Sequence, residues 1–164
     1  MATGDFEKLM KQGYQLMGDG EYAQALSKFD KAIKTEPNDP AAYLAKADAG
    51  VLVPKVTQEE VVALYKKASE LDPDDPFIFQ SWGAFCMDVG LFNEAESCYN
   101  KAAQMDPENA TYYYSEFGVE YYKKAPVVYE QHLDEQTRTI IVKKALKYLL
   151  KSIDLDETSA KKLL

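Results

Sequence analysis

An alanine followed five residues later by a proline recurs in register as Ala32…Pro37, Ala68…Pro73 and Ala102…Pro107. Successive copies are 36 and then 34 residues apart, the length of one helix–turn–helix unit. Upstream of each proline the same apolar spacing returns as Ala25…Phe29…Ala32, Val61…Tyr65…Ala68 and Ala95…Tyr99…Ala102, which is one face of a helix. A further helix precedes each of these, written Leu9-x-x-Gln12-Gly13-x-x-Leu16, Tyr43-x-x-Lys46-Ala47-x-x-Gly50 and Phe79-x-x-Trp82-Gly83-x-x-Cys86. Two short helices cannot bury their apolar faces alone, so each unit has to stack on the next.

The small residue at Gly13, Ala47 and Gly83 has a steric reason. There the first helix can approach its partner closely, and the aromatic at Phe29, Tyr65 or Tyr99 fills the space opposite. Large apolar, small, large apolar, then Ala-x-x-x-aromatic and a closing proline resembles the tetratricopeptide family. Gln12, Lys46 and Gly50 depart from its apolar expectation, which predicts looser packing in the first two units than in the third. The resemblance implies an all-α, right-handed α-solenoid of tetratricopeptide helix pairs with a long insertion in the fourth unit and a short C-terminal capping helix. It places one domain over residues 1–164, with repeats at about 6–39, 40–75, 76–109 and 110–157, and a capping segment over 158–164.

The fourth unit opens with Tyr114-x-x-Phe117-Gly118-x-x-Tyr121 and closes with Ala145…Leu149…Ser152, with Glu157 in place of proline. Gly118 and Ala145 are 27 residues apart, against 12 for Gly83 and Ala95, so an insertion is expected at about 123–137. Pro126 should interrupt the first helix, and a long second helix should begin near Asp134 or Thr137. In the second unit Pro54 should end one helix, and Thr57…Glu60 spells a capping box that starts the next. Four of the seven tyrosines of the last unit have assigned positions: Tyr114 and Tyr121 fit the buried pattern, Tyr112 and Tyr122 an open face.

The net charge of −8 and pI near 4.7 disfavour nucleic acid, whose phosphates require clustered Lys and Arg. Many carboxylates, among them Asp39, Asp75, Asp106 and Asp156, fall where one helix ends and another begins, which suits capping. No apolar run approaches a membrane span and no leader pattern opens the chain, so the expected location is the cytoplasm. Cys86 and Cys98 have no Cys or His neighbours in a ligand spacing and read as small core residues; no metal or cofactor is expected. The single histidine, His132, lies in the insertion without a placed partner, so the reading is not an enzyme. The Lys pairs at 66–67, 123–124 and 143–144 read as solvated helix faces.

Binding is the better supported activity. Each first helix carries a second stripe, one residue beyond the core stripe and so rotated by about 100°. It comprises Met10, Tyr14 and Met17, then Leu44, Asp48 and Val51, then Gln80, Ala84 and Met87, then Ser115, Val119 and Tyr122, and Glu7, Ala41, Phe77 and Tyr112, three residues earlier in each helix, complete it. In the family this chain resembles, such positions line the concave surface and meet a peptide. Methionine and aromatic side chains there imply another polypeptide as partner, with an apolar or amphipathic segment. The stripe lacks the cations needed to clamp the acidic tail of heat-shock chaperones. The expected function is therefore a protein–protein adaptor or chaperone-like module. The alternative is a self-assembling scaffold, a homo-oligomer built through the tyrosine-rich fourth repeat.

Overall fold

The computed structural model describes residues 2–162 and contains no strand among them. Its helices are α1 (Ala2–Gly18), α2 (Tyr22–Thr35), α3 (Pro40–Val51), α4 (Gln58–Leu71), α5 (Pro76–Asp88), α6 (Phe92–Met105), α7 (Ala110–Val128), α8 (Glu135–Lys151) and α9 (Glu157–Lys161). Single 3-10 turns occupy Pro107–Asn109 and Glu130–His132. The fold class is thus all-α and made of paired helices, and the fourth-repeat insertion adds helix. α9 supplies the capping helix; Leu163 and Leu164 of the expected capping segment, and Met1, lie outside the described residues. The chain divides into two compact units, 1–78 and 79–164, with the division falling inside α5.

In unit 1, α1 packs on α2, α2 on α3 and α3 on α4. The close approach expected at Gly13 is severe: a Cβ added there would lie 2.3 Å from Phe29 Cε1. Phe29 is fully buried between Ala25 and Ala32, and this face joins Met10 and the alanines Ala42, Ala45 and Ala49 of α3 in one cluster. Gly20, at φ +79°, turns the chain from α1 to α2, where the Glu21 N–H donates to the Leu16 carbonyl at 2.8 Å. Gly90 does the same between α5 and α6, a conformation that would strain any residue with a Cβ.

The loop between α3 and α4 has the chemistry read from its sequence. The Thr57 N–H donates to Glu60 Oε2 at 2.8 Å, and the Glu60 N–H donates to Thr57 Oγ1 at 3.2 Å. Both bonds satisfy donors that the first helical turn leaves free. Thr57→Ala is expected to cost about 1 kcal/mol, measurable as a lower urea midpoint with unchanged slope. Asp39, Asp75, Asp134 and Asp156 cap their helices likewise, accepting from the N–H groups of Ala41, Phe77, Thr137 and Ser159.

In unit 2 the glycine–aromatic pairing recurs at Gly83, where a Cβ would come within 3.0 Å of the Tyr99 ring, while at Gly118 a leucine takes the aromatic's place, Leu149 Cγ lying 3.1 Å from such a Cβ. Pro126 does not interrupt α7 but sits inside it. Only two residues follow before the helix ends, so the missing N–H and the ring cost the helix little more than its last turn. α7 and α8 are thereby both lengthened and pack on each other as a helical hairpin. Tyr113, rather than Tyr114, is the buried tyrosine at the start of α7, together with Phe117 and Tyr121. Tyr114 is half-buried, its ring 6.0 Å from that of Tyr148.

The lysine pairs are not uniformly solvated. Lys144 Nζ donates to Glu96 Oε2 at 2.6 Å, and the buried Tyr148 hydroxyl donates to Glu96 Oε1 at 2.8 Å while accepting from Asn100 Nδ2 at 2.7 Å. Lys124 bonds Asp88 and Glu120, and Lys123 also reaches Glu120. Burial by itself would raise the Glu96 carboxyl pKa; the bonds from Lys144 and Tyr148 and the charge of Lys147 outweigh it and hold the group below its usual 4.5. A carboxyl with a depressed folded pKa contributes stability above its unfolded value and loses it as pH falls through the folded one. Glu96→Gln is therefore expected to destabilise the chain at neutral pH, with the deficit closing in acid below about pH 4. Urea midpoints of the two proteins across pH measure this; a deficit independent of pH would contradict it.

Candidate functional site

The second stripe divides by burial into residues that can meet a partner and residues that cannot. Tyr14, Val51 and Phe77 in unit 1 and Tyr112 and Tyr122 in unit 2 are exposed, with Tyr14 at 52%. Met10 and Met87, expected to be open, are closed at 8% and 1%. For Met10 the cause is α3, whose Ala42, Ala45 and Ala49 leave room for a flexible side chain between the helices. α5 is apolar around most of its circumference, with Ile78, Phe79, Phe85 and Cys86 buried as well, so a residue one step off the core stripe is also covered. Met17 is intermediate, packed against the unit 1 core, and Leu44 is also partly buried.

In unit 1 the open aromatic is fixed in place. The Tyr14 ring meets Phe29 edge-on at 5.5 Å between centroids, so one edge is held by the core while about half the side chain faces solvent. Asp48, partly buried on α3, accepts a hydrogen bond from the Tyr65 hydroxyl at 2.7 Å. Burial raises the Asp48 carboxyl pKa, with the Tyr65 bond acting in the opposite direction. The Tyr14 phenol pKa is raised too, by burial first and then by the charges of Asp48 and Asp39, which brings these three groups into one electrostatic neighbourhood.

In unit 2 the face is built by α5 and α7. Gln80 Nε2 donates to Glu116 Oε2 at 2.9 Å and to the Tyr112 hydroxyl at 3.2 Å, so this side chain braces the exposed tyrosine from the neighbouring helix. Ser115 donates its hydroxyl to the Tyr112 carbonyl at 2.9 Å and is turned toward its own helix. Val119 and Tyr122 continue the exposed apolar row along α7, and the Asp88–Lys124–Glu120 contacts border it. Helical periodicity places Val119 on this stripe, whereas it did not single out Glu116 as part of this surface.

His132 lies exposed in the 3-10 turn after α7, and among the described residues no group of three or more His, Cys, Asp or Glu could hold a metal. The Cys86 and Cys98 thiols are buried and pushed up to about 11 and about 12, in each case chiefly by desolvation, which disfavours the reactive thiolate. No described helix is long and apolar enough to cross a membrane.

Comparison with known proteins agrees with the helix-pair arrangement. A family profile described as tetratricopeptide repeat matches residues 83–109, from the second half of α5 through α6 to the 3-10 turn that follows. The photosystem I assembly protein Ycf3 of Synechococcus sp. (strain CC9902) is 29% identical over 104 residues, which cover 58% of this chain and 60% of that protein. The small glutamine-rich tetratricopeptide repeat-containing protein 2 of Mycosarcoma maydis is 27% identical over 103 residues, covering 63% of this chain and 29% of its own length. The chain thus spans 60% and 29% of the lengths of these two curated relatives, less than two thirds of either. Among solved structures, MamA superposes with a TM-score of 0.69 at 19% identity, covering 95% of this chain and 81% of MamA, a likeness of fold.

Proposed function

This chain belongs to the tetratricopeptide-repeat family, and from that premise we propose that it is a protein–protein adaptor or chaperone-like module that holds an amphipathic segment of another polypeptide. The observation that carries the reading is the set of exposed tyrosines on first helices, Tyr14, Tyr112 and Tyr122, of which the first two are braced by neighbouring side chains. Large aromatic rings held still on a helix provide contact area with little entropy left to lose on binding. A helix laid on such a face would engage it through side chains spaced along one of its own sides. The name of the Ycf3 relatives, photosystem I assembly proteins, fits a chain that holds a partner during assembly.

A second reading is favoured by Val127, Val128, Ile140 and Val142, all exposed on the lengthened α7–α8 hairpin: copies of the chain associate through the fourth repeat. Light scattering after size exclusion separates the two. A monomer at high concentration supports the adaptor, and a concentration-dependent oligomer abolished by deleting residues 125–136 supports the scaffold. The adaptor itself is tested by selecting displayed amphipathic segments on the full chain. Selected segments that compete with one another are the expected result, and failure to select any overturns it.

A further inference from the structure

We propose that the face of unit 1 carrying Tyr14 of α1 and Asp48 of α3 recognises a cationic side chain, a lysine or arginine of the bound segment, which docks on the Asp48 carboxylate beside the Tyr14 ring. The inference rests on the adaptor reading and specifies the chemistry of its partner.

Asp48 is the charged member of an otherwise apolar stripe, placed on α3 between Leu44 and Val51. Its Oδ1 accepts the Tyr65 hydroxyl at 2.7 Å, which fixes the orientation of the carboxylate; its Oδ2 has no partner among the described residues. No cation of the described residues pairs with it. Lys46, two residues earlier in the same helix, is committed instead to Asp30 at 2.6 Å. A carboxylate drawn partly out of water and left without a counter-charge costs stability, and a cation brought by a partner offsets that cost on binding.

The surroundings suit a long cationic side chain rather than a small ion. Tyr14, held edge-on against Phe29, presents its exposed ring in the same neighbourhood, and the face of a phenol attracts an ammonium or guanidinium. Val51, one helical turn along from Asp48, is exposed and offers apolar surface for the methylene stem. The charges of Asp48 and Asp39 both raise the Tyr14 hydroxyl pKa, so the local field there is negative. Anionic or purely apolar side chains would leave Asp48 uncompensated, which makes the site a specificity determinant as well as a source of affinity.

The test selects displayed amphipathic segments separately on the full wild-type chain and on Asp48→Asn, which keeps the shape and an acceptor for Tyr65. Segments from the wild-type selection should carry lysine or arginine at one recurring position about tenfold more often than those from the variant. Replacing that residue by norleucine in a synthetic peptide should weaken binding to the wild-type chain about tenfold and leave binding to Asp48→Asn nearly unchanged. The norleucine comparison on the wild-type chain needs no variant and stands even if Asp48→Asn folds poorly. Equal basic content in the two selections, or norleucine binding as well as lysine, overturns the cation site while leaving the adaptor reading intact. Recovery of no segment overturns both.

Discussion

Phe29→Ala is expected to destabilise the protein by about 3–5 kcal/mol, because it empties a fully buried position that no neighbour can refill. The ring lies where Gly13 has no Cβ, at a distance of 2.3 Å from the position such an atom would take, so α1 and α2 are as close as their backbones allow. Ala25 and Ala32, flanking it on α2, have no side-chain length with which to fill the space. The same substitution at Tyr99, opposite Gly83, should have a similar effect in unit 2. Urea unfolding measures both; a loss below about 1 kcal/mol at either site would mean that the helix pair is not organised around the aromatic.

Tyr14→Ala should instead act mainly on binding, weakening a selected segment by about 1–3 kcal/mol, or roughly 5- to 150-fold. Its half-exposed ring contributes an edge contact to Phe29, so a stability cost of about 1 kcal/mol accompanies the change. Met10→Ala provides the contrast. As a cluster residue at 8% exposure it should cost about 2–5 kcal/mol of stability, with little effect on affinity measured under conditions where the variant is folded. If Tyr14→Ala melts far below the wild type and binds normally while folded, the aromatic belongs to the packing and the binding surface lies elsewhere.

The contrast between these two residues shows where sequence reasoning reaches its limit. Gly13 with Phe29 and Thr57 with Glu60 were legible because each is a local rule: a steric vacancy filled at a fixed spacing, and two bonds within one turn. The start of α8 was legible for the same reason, through Asp134. Met10 and Tyr14 share one stripe by helical arithmetic, yet whether a neighbouring helix covers the stripe depends on the size of α3's side chains, and its alanines admit Met10. The bond between Lys144 and Glu96 joins residues 48 positions apart, which no periodicity in a single chain exposes. Pro126 misled for a geometric reason: its penalty falls on the turn before it, and α7 was about to end.

Chemical-shift mapping of a selected amphipathic segment on the isotopically labelled full chain tests the claim of a partner-binding face most directly. The largest shifts should fall on Tyr14, Asp48 and Val51 of unit 1, or on Gln80, Tyr112 and Tyr122 of unit 2, with the exposed residues Ile140, Val142 and Leu146 of α8 unmoved. Shifts confined to α8 and the α7–α8 hairpin, with Tyr14 and Tyr112 silent, would contradict it.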